Sequence, residues 1–389
     1  MPRPFARSVL ITLRIAAIVA LASASAFCAA QPAASSIPQV PNPSLVDPTR
    51  PLPPSVPPPT REPPPAPPIQ RVADLALVLP LASRDYQLAA EAVRDGFLAA
   101  AEAAGATKRV RVIGHEDNNF INAFEVARLT GAPVIVGPLL RDDLRAIAAS
   151  DAPLPITLAL NQFDDGVAVP PNVYTLALSL ESDARVLARR MRNDRVNAVA
   201  VIGGDAPLTK RFVHAFASEW LLAGGGPPQS YAFESSSDGL STLRRNLSKS
   251  TADAALIALD GSAAALARSF APRMKAYASS LVNQAFDPAT QGDLEGVVFV
   301  DVPWIVAPDD RSLAKLPRKA MPNLVLERLY ALGLDAFEVA RRFVDGVPSK
   351  LELLGATGKL TLGDSRQIAR EGTFAVFRRG QVLPLDGTR

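Results

Sequence analysis

The 389-residue sequence has one cysteine, Cys28, and only two histidines, His115 and His214. A single thiol cannot close an intramolecular disulfide, so packing rather than covalent bridging must hold the fold. One Cys and two His also fall short of the usual zinc ligand sets, and no metal or other cofactor is expected. The Walker loop, the GxGxxG fingerprint, the GxSxG elbow, HExxH and the kinase signatures are all missing. No reaction is signalled, and the chain is read as a non-enzyme. Nor is there an apolar run near the roughly 20 residues that a membrane-spanning helix needs.

Charge of one sign is scarcer than it looks. The formal charge is +3, from 41 Lys+Arg against 38 Asp+Glu. Arg3, Arg7 and Arg14 all lie in the first 30 residues, which contain no acid, so the remainder holds 38 of each sign. A neutral body gives no electrostatic footprint for nucleic acid, and none is expected as a partner.

Residues 1–30 read as a secretory signal: an arginine-bearing start, the short apolar run Ile15–Ala24, then small residues. The protein is therefore expected to be exported to the periplasm. Two processing routes remain open. Cys28 stands where a lipoprotein carries its acylated cysteine, although Phe27 and Ser25 depart from the usual pattern before it. Ordinary cleavage after Ala26 or Ala30 is the other route. A lipid on Cys28 is the only membrane attachment expected, and it would allow anchoring at the outer membrane.

Residues 31–70 hold 16 of the 36 prolines. Proline lacks the N–H that helices and sheets use, so this segment reads as a disordered, extended linker. At about 3.1 Å per residue it could reach roughly 120 Å.

From Val72 onward, short apolar runs alternate with amphipathic helical stretches, the pattern of βαβ units around parallel sheets. VADLALVLPL (72–81), RVRVIGH (109–115), PVIVGPLL (133–140) and LPITLAL (154–160) read as strands of a first set. A second set runs from NVYTLAL near residue 172 to MKAYASS at 274–280. GVVFVDVPWI (296–305), a helix over 326–343 and a terminal hairpin turning at Gly380 complete the pattern. Two similar halves joined by several crossings predict a hinged, two-lobed α/β body over residues 71–389. Lobe 1 is expected at about 71–165 plus 284–347, and lobe 2 at 166–283 plus 348–389. A ligand crevice would lie between them, beyond the strand ends.

Few residues suggest chemistry. The run HEDNN at 115–119 could bind a cation or do acid–base work, but a solvated loop is the simpler reading. His214 fits a helix surface. Gly203-Gly204-Asp205 could approach an anion, while Gly224-Gly225-Gly226 before two prolines reads as a helix stop. Trp304 reads as core, with a stacking face in a cleft as the other option.

Several pieces together resemble the LppC-type penicillin-binding-protein activator lipoproteins. These are LALVLPLAS with AVRDGFLAA (75–83, 92–100), VIVGPLL (134–140), TLALNQ (157–162) and YTLALSLESDARVLAR (174–189). FASEW (216–220), RLYALGLDAF (328–337) and TGKLTLGDSRQIAREGTFAVFRRGQVLP (357–384) follow in the same order. The resemblance implies a type 1 periplasmic-binding-protein-like fold. It also implies a regulator that contacts a bifunctional penicillin-binding protein, a peptidoglycan synthase, and promotes wall cross-linking. Better-known members carry a helical-repeat domain ahead of this part, where the proline-rich linker is expected here.

The same fold serves solute receptors for amino acids or other small polar ligands, which is the alternative function. If a ligand enters the cleft, the candidates to hold it are Ser83, Asn161, Gln162, Asp205 and Asp301. The plain reading of each is a helix cap or a turn.

Overall fold

The computed structural model describes residues 72–150, 153–164, 166–284 and 288–385. The expected export signal, Cys28 and the proline-rich linker lie outside the described residues. Within them, β1 (Leu75–Leu79) is buried along its whole length. Leu75, Leu77 and Leu79 join one apolar cluster, while Ala76 and Val78 join another on the opposite face. Such a strand has to be central and covered on both sides.

The first set continues with α1 (Gln87–Ala103), β2 (Val110–Gly114), α2 (Phe120–Leu129) and β3 (Val134–Val136). After it come α3 (Arg141–Ala148), β4 (Ile156–Ala159) and β5 (Val173–Thr175). These strands form a parallel five-stranded sheet, in the order β2-β1-β3-β4-β5.

Lobe 2 opens with α4 (Leu180–Asn193), β6 (Val199–Gly203), α5 (Pro207–Leu222) and β7 (Gln229–Ala232). It goes on through α6 (Ser237–Leu247), β8 (Ala254–Ala258), α7 (Gly261–Phe270), β9 (Lys275–Ala278), α8 (Pro288–Asp293) and β10 (Val297–Asp301). The chain then passes through α9 (Pro303–Val306) and the long α10 (Leu324–Phe343). Next come β11 (Leu351–Gly355), β12 (Gly358–Leu362) and β13 (Ala369–Glu371), and last β14 (Thr373–Arg378) and β15 (Gln381–Pro384). The seven-stranded sheet has the order β15-β14-β10-β9-β8-β6-β7, and β11-β12-β13 form a sheet of their own. Among the described residues no helix is long and apolar enough to cross a membrane.

Period-two patterning again divides the interior of lobe 2. Ala200 and Ile202 of β6 face the cluster that contains α6 and α7, whereas Val199 and Val201 face α4 and α5. The terminal hairpin turns at Arg379-Gly380, both with positive φ, the geometry of a tight two-residue connection. At the expected helix stop, the Trp220 indole N–H donates to the Gly226 carbonyl at 2.8 Å.

The division between lobes differs from the one expected. The strand at 173–175 pairs with β4 in the first sheet, not with lobe 2. The strand at 297–301 pairs with β9 and β14 in lobe 2, not with lobe 1. In 348–389, β14 and β15 do belong to the lobe 2 sheet, but Leu351, Leu360, Leu362 and Ile368 pack into the lobe 1 core. The chain therefore crosses between lobes at 176–179, 301–303 and 371–373.

α10 is the element that ties the long return segment to lobe 1. It packs closely on α1. A Cβ on Gly333 would lie 2.1 Å from the Val93 carbonyl oxygen, and one on Gly96 would lie 2.0 Å from that of Tyr330. Only glycine permits that approach.

Candidate functional site

The three crossings converge on an interlobe cleft, and charged side chains from both lobes meet there. At the end of β10, Asp301 is 1% exposed. Its Oδ1 accepts from the Val302 N–H and from Arg328 Nε, both at 2.8 Å. Its Oδ2 accepts from Arg328 Nη2 at 2.7 Å and from Asn283 Nδ2 at 2.9 Å. Arg328 belongs to α10 in lobe 1. The same Nη2 also donates to the carbonyls of Ser280 and Asn283 in lobe 2, at 3.1 and 3.0 Å. A carboxylate with four donors and an arginine with a bidentate partner make a charge-assisted joint between lobes.

A second buried pair lies beside it. Arg370 of β13 donates through Nη2 to Asp183 of α4, and through Nη1 to the Thr357 carbonyl at 3.1 Å. Thr357 in turn donates its hydroxyl to Asp335 of α10 at 2.6 Å. The main-chain N–H groups of Ala356 and Thr357 also reach that carboxylate, at 2.7 and 2.8 Å. Burial pushes Asp183 up to about 6, against the pull of Arg370. Burial likewise pushes Asp335 up to about 6, against the hydrogen bonds from Thr357 and Ala356. The polar chain Asp183–Arg370–Thr357–Asp335 thus links α4, the small sheet and α10.

At the cleft mouth the charges are shared rather than paired. Glu181, on the first turn of α4, takes Arg211 Nε of α5 at 3.1 Å and Arg141 Nη2 of α3 at 3.6 Å. Asp164 takes Arg145 Nε at 2.8 Å and Arg141 Nη1 at 3.1 Å. Its hydrogen bond from Arg145, before any other influence, holds its carboxyl below the usual range. Arg141 therefore bridges a lobe 1 acid and a lobe 2 acid.

Two cavities share this region. The inner one, about 310 Å³, is lined by Asn161, Gln162, Asp183, Asp301, Arg328 and Arg370 and by aliphatic side chains such as Leu178, Leu281 and Val302. The outer one, about 530 Å³, runs between the 162–169 segment and helices α4 and α5. Gln162, Glu181 and Arg211 line both.

Of the five expected ligand residues, Asn161, Gln162 and Asp301 come together in the inner cavity. Asn161 nevertheless spends its amide on the Leu139 carbonyl at 2.9 Å and its oxygen on the Gln162 N–H. Ser83 lies elsewhere, buried, its Oγ accepting from the Tyr86 N–H at 3.2 Å, which is a turn. Asp205 is fully solvated on the surface and pairs with Lys210 at 3.0 Å.

The expected solvated loop at 115–119 holds only in part. His115 itself is 3% exposed, because α2 covers it with Phe120, ring edge to ring face at 5.5 Å. Its Nδ1 lies 2.9 Å from the Glu116 carbonyl, and its Nε2 lies 3.7 Å from Asp143 Oδ2. Burial pushes Asp143 up to about 6; His115 pulls it down, and Asp142 and Asp117 add to the rise. Trp304 is core: its N–H donates to Glu327 at 2.9 Å and the Arg318 guanidinium stacks over its ring at 4.0 Å. Among the described residues no group of three or more His, Cys, Asp and Glu could hold a metal ion.

Sequence reasoning missed Arg141, Glu181, Arg211, Arg328 and Arg370. Glu181 and Asp183 lie inside SLESDARVLAR, and Arg370 inside SRQIAREG. Glu181, Arg328 and Arg370 had only their place in segments of shared family pattern as a signal, and Arg141 and Arg211 lay outside those segments; charged residues on amphipathic helices look solvated.

The family model described as LppC putative lipoprotein matches residues 67–235 and 262–380. The penicillin-binding protein activator LpoA of Edwardsiella piscicida is 28% identical over 304 residues, covering 67% of this chain and 44% of the relative. That of Haemophilus influenzae is 28% identical over 327 residues, covering 81% and 55%. The chain thus spans about half the length of the curated relatives it matches. The LpoA C-domain from Haemophilus influenzae, described as a regulator of PBP1A, superposes with a TM-score of 0.69 at 24% identity. It covers 80% of this chain and 99% of that one. A putative branched-chain amino acid ABC transporter from Chromobacterium violaceum gives 0.67 at 33% identity, covering 78% and 99%. The two-lobed periplasmic-binding-protein-like fold is shared with these two solved structures.

Proposed function

The chain belongs to the LppC putative lipoprotein family, and from that premise we propose that it is a non-enzymatic regulator of peptidoglycan synthesis. It acts by protein–protein contact, activating a bifunctional penicillin-binding protein in the periplasm. The observation that carries this reading is the match of its folded body to proteins named penicillin-binding protein activators. The cleft supports it: Asp183, Asp301, Arg328 and Arg370, which line the inner cavity, are paired with one another as two Asp–Arg pairs made within the protein. The test is a pull-down of periplasmic synthases followed by a cross-linking assay. Several-fold faster cross-linking with a captured synthase is expected; no capture and no rate change would refute it.

Acylated Cys28 and the proline-rich residues 31–70 serve as anchor and tether, holding the body away from the outer membrane. Replacing Cys28→Ser should move the protein from the membrane fraction to the soluble periplasm. A wild-type protein already soluble would instead point to ordinary cleavage.

A second reading rests on the 33% identity to the transporter protein from Chromobacterium violaceum. On this reading the chain is a solute receptor for an amino acid or another small polar ligand in the inner cavity. Thermal shift against amino acids decides it, since a ligand at about 100 times its Kd stabilises by about 2.7 kcal/mol.

A further inference from the structure

We infer that the outer cavity of the cleft binds a short acidic peptide, with Arg185 and His214 taking its carboxylates and Gln162 and Gln367 its amide groups. This goes beyond both readings above, because it concerns not the synthase but the outer cavity, which shares only Gln162, Glu181 and Arg211 with the inner one. The acids of the outer cavity are already engaged: Asp164 by Arg141 and Arg145, and Glu181 by Arg141 and Arg211. The side chains of Gln162, Arg185, His214, Ser218 and Gln367 also line it. Among the described residues none of those five makes a hydrogen bond or ion pair through its side chain. They come from the segment after β4, from α4, from α5 and from the segment between β12 and β13. Separate elements therefore aim unspent polar groups at one concavity.

The residue types select the ligand. A guanidinium beside neutralised acids leaves an excess of positive charge, which calls for an anion, and the imidazole adds an N–H donor. Each carboxamide offers both a donor and an acceptor, the pair that a peptide group requires. Val167 and Val169 supply an apolar wall for a side chain or backbone. Arg185 and Gln367 also line an adjoining groove with Ser182 and Arg189. A site that continues into a second groove suits an extended chain better than a compact anion.

The test uses the full-length mature protein and three fluorescein-labelled tetrapeptides in fluorescence anisotropy at low salt. The first is Ala-Glu-Asp-Ala with a free C-terminus. The second is the same sequence with an amidated C-terminus, and the third is amidated Ala-Gln-Asn-Ala. Both acidic peptides should bind saturably, and the neutral one at least about tenfold more weakly. Arg185→Gln should weaken acidic binding by about tenfold or more, the loss expected of one charge-assisted hydrogen bond. Gln367→Ala should weaken all binding, and Arg244→Gln on the exposed face of α6 should change nothing. A clear preference for the free C-terminus would identify a small free peptide as the ligand, whereas equal binding would identify an acidic protein segment. Equal binding of the neutral peptide, no binding at all, or an unchanged Arg185→Gln variant would overturn the assignment. Arg185 is exposed, so an unaltered melting temperature should accompany its effect.

Discussion

Asp143 shows how the setting of one residue becomes a pH dependence. Its carboxyl is buried beside His115 and is pushed up to about 6, from 3.8 in an open chain. Between about pH 4 and pH 6 the folded protein therefore holds a proton that the unfolded chain has released. Folding stability from this group falls as pH rises through that window and then levels off. Asp143→Asn removes the titration. The melting temperature of the variant minus that of wild type should grow by a few degrees from pH 4 to pH 7. A difference that stays flat would mean that the carboxyl is not desolvated. The sequence could not reveal this setting, because Glu116, Asp117, Asn118 and Asn119 are all exposed and the motif looks solvated. Burial at a strand end depends on what α2 and α3 lay across it. Asn161, Gln162 and Asp301 drew notice for the opposite reason: the first two follow an apolar run and the third interrupts one, where a polar residue stands out.

At the scale of elements, the contact of α10 with α1 is governed by two positions without side chains. Gly333→Ala would place a methyl group 2.1 Å from the Val93 carbonyl oxygen, so the helices have to part. Overpacking of this kind costs typically about 1–3 kcal/mol, measurable as a shift in the denaturant midpoint with an unchanged slope. An unchanged midpoint would mean that α10 slides freely on α1. The strands themselves were easy to read, since alternate residues of β1 and β6 face different clusters. Their membership of sheets was not. β10 looks like any buried strand, and nothing local to it says that its neighbours are β9 and β14. Arg328 and Glu181 escaped notice similarly: each sits on an amphipathic helix, and only the opposing lobe turns its polar face into an interior.

The whole molecule depends on charges that each lobe lends the other. Arg328 of α10 satisfies Asp301 and two carbonyls across the boundary. Arg328→Met strands a carboxylate that is 1% exposed. Breaking one partner of such a buried pair costs about 3–5 kcal/mol. The joint also couples the lobes, so calorimetry of this variant should resolve two transitions where wild type shows one. A single, merely lowered transition would mean that the three crossing segments alone carry the coupling.

Those crossings have a consequence for the order of assembly. β10 finds its antiparallel neighbour only in β14, which lies more than seventy residues later in the sequence. A chain that emerges N-terminus first, from a ribosome or through a membrane pore, therefore presents lobe 2 with an open sheet edge until almost its last segment arrives. Unpaired edges recruit foreign strands. A chain cut after β13 leaves β10 without its antiparallel neighbour, and such a fragment is expected to scatter more light on refolding than the whole chain.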